Sequence, residues 1–363
     1  MEEQLWGACS DGNVEEVKQL LQNEQINTNW QDLEHSRTPL YIACKNGHID
    51  IVKLLLNDQR VDITKTQSKE ATPLWIACQE GQIEVVKLLL NDPRVDINKA
   101  SDSSATPFYI ACQEGQIEIV KLLLNDDRID VNKGHNQDAD NSGFTPLYIA
   151  CYNGHIEIVK LLLNNERVDT NKANNSCFTP FFIACEKGHI DIAKLLLSDD
   201  RIDTNKALNR GETPFFIACY RGHVQIVKSL LNDSRVDINK NLNDGITPFY
   251  IACQNGHIEI VKLLLNDKRI DTNKARDKGW TPFYIACRKG YLEIVKLLLN
   301  DKRIDINKAR DNDGGATPFS IACRKRQIEI VKLLLNDERV DINKQNNNGS
   351  TPFYIACEKG HLE

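Results

Sequence analysis

Residues 245–275, GITPFYIACQNGHIEIVKLLLNDKRIDTNKA, contain two predicted helices and a return loop. Thr247 followed by Pro248 predicts a helix start, because a threonine hydroxyl can accept an unpaired N–H and proline needs no N–H partner in the first turn. Gly256 predicts the end of this helix through a left-handed residue. Residues 257–266, HIEIVKLLLN, predict a second helix that is apolar on most of its surface and must therefore be covered by neighbours.

This unit recurs along the sequence. Thr-Pro occurs ten times at a spacing of 34 residues, which changes only twice, once to 39 and once to 36. A unit without Thr-Pro precedes them, and the last unit, 351–363, is incomplete. Because one unit cannot bury its second helix alone, stacked units must share a continuous core. We expect residues 1–363 to form a single array of about eleven units, with a capping-like unit at 1–34 and repeats from about residue 35.

The pattern G-x-TPFYIAC-x-x-GHIEIVKLLL…DIN resembles the ankyrin repeat over essentially the whole chain. The resemblance implies an all-α solenoid of stacked helix–turn–helix units with projecting β-turn fingers and a concave face. Two departures stand out. Aromatic residues such as Tyr250 replace the family's histidine after Thr-Pro-Leu, so we expect aromatic packing instead of a Thr–His network. The stretch LLLNDKRID, residues 263–271, is one residue longer than its family equivalent and lacks glycine, so the second helix must end differently.

The sequence has no motif for catalysis or for a bound cofactor. It lacks a Walker loop, a Rossmann glycine fingerprint, a G-x-S-x-G elbow and an H-E-x-x-H motif, so we expect a protein that is not an enzyme and has no cofactor. Eleven of the twelve cysteines share one repeat position, which predicts small buried side chains in a reducing compartment. The twelfth, Cys177, lies in a finger turn and should be more exposed. Six histidines share the start of the second helix, and one ligand per unit cannot form a zinc site.

The composition of the chain argues against a membrane and against nucleic acid as its binding partner. No apolar run approaches the roughly eighteen residues of a membrane span, and the first residues, MEEQLWGACSDGN, lack the features of a secretory signal. We therefore expect a cytoplasmic protein with no membrane insertion, and the nucleus stays open as an alternative location. The sequence shows no feature of a small-molecule substrate site. The net charge is −6, although basic residues outnumber acidic ones after residue 180. Because the chain is acidic overall and has no nucleic-acid-binding module, nucleic acid is not an expected partner.

Residues 134–144, GHNQDADNSGF, resemble the first half of a calcium loop because Asp138, Asp140 and Ser142 alternate. An EF-hand loop that begins at Asp138 needs a bidentate glutamate at its twelfth position, which is Ile149. We therefore expect no metal site there. The unit is five residues longer than its neighbours, which indicates a polar insertion that lengthens one finger.

Differences between units are the local source of specificity in such an array. Two positions vary most: the pair after each repeat cysteine, and the residue before each Thr-Pro. Large apolar and aromatic residues there are typical interface anchors. The expected partner-binding residues are Phe144, Tyr152, Phe178, Tyr220, Ile246, Trp280, Arg288 and Lys289. Finger packing is the alternative explanation for the residues before Thr-Pro.

A cluster of basic residues also occurs late in the array, and it consists of Arg288, Lys289, Arg324, Lys325 and Arg326. It is either a solvated face or a docking site for an acidic protein partner. Together these patterns predict a non-catalytic scaffold or adaptor that binds protein partners through the concave face and the fingers. Two alternatives stay open: a regulatory or anchoring region of a larger enzyme or channel that continues past residue 363, and a mechanical spacer.

Overall fold

A computed structural model of the chain describes residues 1–136, 142–310 and 314–361. In these ranges the chain forms short helices in successive pairs, together with one small hairpin. The first helices of the units are α1 (Glu2–Asp11), α3 (Pro39–Asn46), α5 (Pro73–Gln79), α7 (Pro107–Gln113), α9 (Pro146–Asn153), α11 (Pro180–Lys187), α13 (Pro214–Arg221), α15 (Pro248–Asn255), α17 (Pro282–Lys289), α19 (Pro318–Arg324) and α21 (Pro352–Glu358). The second helices are α2 (Val14–Leu21), α4 (Ile49–Asn57), α6 (Ile83–Leu90), α8 (Ile117–Leu124), α10 (Ile156–Leu163), α12 (Ile190–Leu197), α14 (Val224–Leu231), α16 (Ile258–Asn266), α18 (Leu292–Asn300) and α20 (Ile328–Leu335).

The chain divides into two compact units. Unit 1 comprises Met1–Ala184 and Ser198–Ile202, and unit 2 comprises Cys185–Leu197 and Asp203–Glu363. In unit 1 the first helices α1, α3, α5, α7 and α9 pack side by side, and α2, α4, α6, α8 and α10 form a second row. In unit 2 the corresponding rows are α13, α15, α17, α19 and α21, and α12, α14, α16, α18 and α20. The predicted all-α fold of stacked helix pairs is confirmed.

The first helices begin and end as the sequence predicts. In α3, the Thr38 hydroxyl accepts a hydrogen bond from the Tyr41 N–H at 3.1 Å, with Pro39 in the first turn. In α13, Gly222 ends the helix with a φ of 82°, and a Cβ there would lie only 2.8 Å from the His257 ring of the next repeat. Glycine is therefore required for both backbone conformation and space. Arg326 takes the same place after α19 with a φ of 54°, a conformation that strains a residue with a side chain.

The core of each unit lies between its two rows of helices. In the α15–α16 pair, Phe249, Cys253 and Leu264 are at most 1% exposed. Ten of the eleven repeat cysteines are buried, and burial raises the pKa of the Cys9 thiol to about 12. The prediction of burial is wrong for Cys357, which is exposed because α21 packs on a first helix, α19, on one side only among the described residues.

The second helices end in a contact that the sequence alone did not specify. In unit 2, the Arg269 guanidinium donates to the Leu231 carbonyl of the preceding repeat at 2.7 Å and to the Asp267 carboxylate at 2.6 Å. The arginine thus satisfies a carbonyl that a helix C-terminus leaves unpaired, in place of the missing glycine turn. We term this contact the arginine clasp. It recurs at Arg60, Arg94, Arg128, Arg167, Arg201, Arg235, Arg303 and Arg339.

Asparagine side chains join the return loops of neighbouring repeats. The Asn239 side chain donates to the Arg269 carbonyl at 2.7 Å and accepts from the Asp271 N–H at 3.0 Å. We term this contact the asparagine bridge, and it recurs at Asn29, Asn98, Asn132, Asn205, Asn273 and Asn307. At Thr64 the shorter hydroxyl bonds only to Asp62 of its own repeat, and an open cleft of 370 Å³ lies there.

Candidate functional site

In each repeat that begins with Thr-Pro, three residues lie on one side of the first helix. They are the residue before Thr-Pro and the residues four and eight positions after it, a spacing that places helical side chains on one face. In unit 1 the Phe144 ring lies 4.6 Å from the Tyr148 ring, which lies 6.3 Å from the Tyr152 ring. We term this set of three positions the column. Six of the predicted site residues occupy its outer two positions, together with Arg288.

The unit 1 columns expose aromatic surface. Tyr152 is 40% exposed at the end of α9, and Phe144 is half-buried against Tyr148. Phe178 is also half-buried and meets the Phe182 ring edge-on, with the ring centres 5.4 Å apart. Tyr148 and Phe182 therefore pack against these aromatic residues on one side and leave part of each ring accessible.

In unit 2 the predicted residues have more varied surroundings. Tyr220 is 41% exposed, and the Arg221 guanidinium lies 5.4 Å from its ring centre. Arg221 is held in place by an ion pair of 2.6 Å with Glu186. Ile246 is only 8% exposed, which favours the finger-packing explanation at that position.

Trp280 is the centre of a larger cluster in unit 2. Its ring meets Tyr284 edge-on at 5.4 Å, and the guanidinium of Arg288 lies 4.8 Å from the ring centre. A second guanidinium, that of Arg310, lies 4.4 Å from the same centre. Backbone pairing between Arg276 and Trp280, with an N–H to carbonyl distance of 2.9 Å, fixes the finger from which the indole projects.

The structure brings together only some of the predicted site residues. Phe144 reaches Tyr152 through Tyr148, and Trp280 contacts Arg288 directly. Lys289 is exposed at the end of the same helix as Arg288, whereas Phe178, Tyr220 and Ile246 each belong to another repeat. Sequence reasoning missed Arg310, although a signal existed: the sequence Lys-Ala-Arg occurs at the same place in two consecutive fingers, 274–276 and 308–310.

The lengthened finger of unit 1 forms a hairpin. β1 (His135–Asn136) pairs antiparallel with β2 (Ser142–Phe144), so that His135 lies opposite Phe144. The buried His135 ring stacks on Tyr109 at 4.9 Å, and burial lowers the pKa of this histidine. His135 was not predicted as a packed residue, and its stacking on Tyr109 holds the strand that pairs with Phe144.

The calcium hypothesis concerned Asp138 and Asp140, which lie outside the described residues. Within the described ranges, no group of three or more His, Cys, Asp or Glu side chains is placed to hold a metal ion. None of the helices described is long and apolar enough to span a membrane.

Comparison with known families agrees with the repeat pattern. A family model described as ankyrin repeats, three copies, matches overlapping stretches that together reach from residue 4 to residue 363. The matched stretches are 4–67, 58–135, 95–174, 131–207, 166–244, 215–310 and 307–363. A comparison with curated protein sequences gives no match.

Proposed function

The chain belongs to the ankyrin-repeat family, and from this premise we propose that it is a non-catalytic scaffold or adaptor in the cytoplasm. Ankyrin repeats are protein-interaction modules, and partner proteins would bind along the columns and the fingers. The observation that carries the proposal is the exposure of Tyr152 and Tyr220, 40% and 41%, at a position that is polar in the other repeats. Tyrosine is enriched among interface anchors because it buries a large rigid ring and keeps a hydroxyl for hydrogen bonding.

The packing of the residues that hold the column side chains in place supports this role. Tyr148, on which Phe144 and Tyr152 stack, is 6% exposed, and its backbone N–H is bonded to Thr145. Anchors that are already held in place lose less conformational freedom when a partner binds, so more of the contact energy appears as affinity. Arginine clasps and asparagine bridges link neighbouring repeats through the ends of the second helices and the return loops.

Affinity capture with the intact chain tests the proposal. The chain is compared with a variant that carries Tyr152→Ala, Tyr220→Ala and Trp280→Ala. The matched control carries Lys87→Ala, Lys160→Ala and Lys262→Ala, three exposed lysines on second helices. We expect the intact chain and the control to recover the same partner, and the aromatic variant to lose it. Equal recovery by all three proteins would contradict the proposed surface, and recovery of no specific partner would favour a spacer.

A further inference from the structure

A basic and aromatic patch of unit 2 has a chemistry that points to one class of partner. The patch, termed the basic patch below, comprises Arg276, Trp280, Arg288, Arg310 and Arg324. Trp280 carries two guanidiniums on its ring, and Arg310 also lies 5.7 Å from the Tyr284 ring centre. Arg324 occupies on α19 the column position that Arg288 occupies on α17, and the two helices pack against each other.

The guanidinium of Arg288 has N–H donors that are not used in hydrogen bonds to the described residues. Its guanidinium lies over the indole of Trp280, and among the described residues it makes no hydrogen bond or ion pair. A cation over an aromatic face is held there electrostatically, and the contact consumes none of its five N–H donors. Arg324 is exposed and likewise makes no ion pair in the described ranges. The Arg288 guanidinium is thus held over Trp280, and the N–H donors of both arginines remain available to an acceptor.

The positive charge around Arg288 is only partly neutralised by acidic side chains. Asp244 pairs with Arg276 at 3.1 Å. Burial raises the pKa of Tyr250 to about 12, and the positive charges of Arg276 and Arg288 act on it in the opposite direction. The Arg288 side chain therefore contributes positive potential to a site where Lys289, on the same helix, adds another exposed cation.

We propose that the basic patch binds an extended acidic segment of a partner protein, with two carboxylates paired to Arg288 and Arg324. Packed helices lie about 8–10 Å apart, and a segment in the extended polyproline II conformation, which has three residues per turn, advances about 3.1 Å per residue. Acidic residues at positions i and i+3 of the partner would therefore match the spacing of the two arginines. A guanidinium presents parallel N–H groups that fit a carboxylate in bidentate fashion.

The patch is poorly suited to nucleic acid. Proteins that bind single strands offer open aromatic faces on which bases stack, whereas the Trp280 ring already has two guanidiniums and the Tyr284 edge against it. The corresponding column positions of unit 1 have Gln79 followed by Glu80, and Gln113 followed by Glu114, which would not attract an acidic segment. The acidic-segment site is thus confined to a few repeats of unit 2.

This inference rests on the proposed function, and fluorescence anisotropy on the full chain tests it. The probe is a short labelled peptide in which glutamates recur every third residue between glycines and serines, at low ionic strength. The test variant is Arg288→Gln with Arg324→Gln. Its control is Lys45→Gln, which removes a cation from the same column position on α3. A further variant, Arg288→Lys with Arg324→Lys, keeps the charge and removes the planar fork.

We expect the peptide to bind the intact chain and the Lys45 control with equal affinity. Its affinity for the glutamine variant should be lower by a factor of about ten or more. The lysine variant should be intermediate. Unchanged affinity in the glutamine variant would overturn the proposal, as would the absence of any binding to the intact chain. Tighter binding of a single-stranded RNA of equal charge would also overturn it. If the peptide fails while a captured partner still requires Tyr152 and Tyr220, this inference fails and the proposed function stands.

Discussion

Arg269 reaches back across a repeat boundary and donates to the carbonyl oxygen of Leu231 at 2.7 Å. The two residues are 38 positions apart in the chain, so the contact forms only after neighbouring repeats have stacked. It couples the C-terminus of one second helix to the return loop of the next repeat. It therefore explains how the second helices of these repeats end without the glycine that the family has at this place. The spacing between repeats, and with it the spacing between columns, depends on contacts of this kind.

Removal of one arginine clasp should weaken the array locally. Arg269→Gln leaves the Leu231 carbonyl and the Asp267 carboxylate without their charged donor. Because the arginine side chain is about half exposed, we expect a loss of only about 0.5–1 kcal/mol in the free energy of unfolding. Urea denaturation measures it. Lys268→Gln, one residue earlier and exposed, is the control and should change little. A loss no larger than that of the control would argue against the clasp.

Acid should destabilise the chain through the clasp aspartates. Hydrogen bonds from the partner arginine lower the pKa of the carboxyl groups of Asp58, Asp92, Asp126, Asp233, Asp267, Asp301 and Asp337. A pKa that is lower in the folded state stabilises the protein above the unfolded pKa of about 4, and that contribution is lost as the pH falls through the folded values. The melting temperature should therefore be nearly constant from about pH 7 to pH 5 and fall towards about pH 3.

The variant Asp267→Asn with Asp301→Asn separates the clasps from the other carboxylates. It should be less stable than the parent protein at neutral pH and should show a smaller decrease in acid. The natural Asn165, which stands two residues before Arg167 in place of aspartate, indicates that the fold tolerates the change. A decrease in acid of the same size in both proteins would assign the effect to other groups.

Completion of the missing asparagine bridge should stabilise unit 1. Thr64→Asn places an amide where it can donate to the Arg94 carbonyl and accept from the Asp96 N–H, as Asn98 does with the next repeat. We expect a gain of about 0.5–1.5 kcal/mol and slower hydrogen exchange of the Asp96 amide. Thr64→Ala is the matched control without bridging groups. Exchange at Asp96 that is equal in both variants would show that no bridge has formed.

Deletion of His135–Ala139 restores the 34-residue spacing and tests the lengthened finger. The helices α7 and α9 pack on each other without the hairpin, so we expect the variant to fold with nearly the same far-ultraviolet circular dichroism. It removes the His135 ring that stacks on Tyr109, and binding of a captured partner should weaken. Full retention of binding would mean that the finger takes no part in recognition.

The sequence predicted the features that depend on neighbouring residues. Thr-Pro capping, the glycine exits and the burial of most repeat cysteines follow from local chemistry and from a pattern repeated ten times. The clasp between Arg269 and Leu231 joins groups from different repeats, and one partner is a backbone carbonyl that has no sequence signature. Arg310 was missed for a similar reason, because it comes from one finger and its contact, Trp280, from the preceding one.

Ile246 and Cys357 show the limits of reading a position from its equivalents. Ile246 shares its place with the accessible Phe144 and Trp280, yet it is short enough to be buried where they project. Cys357 shares its place with ten buried cysteines, yet it is exposed because neighbours on both sides, rather than residue type, create the buried environment. In a repeat array, the environment of a side chain depends on the adjacent repeats as well as on its own.

Hydrogen exchange on the complex with a captured partner tests most directly the claim that the columns bind partner proteins. Peptides from the first helices α9 and α13, which contain Tyr152 and Tyr220, are compared with peptides from the second helices α10 and α14 of the same repeats. The proposed surface predicts slower exchange on partner binding in α9 and α13 and unchanged exchange in α10 and α14. Protection confined to the second helices would contradict it.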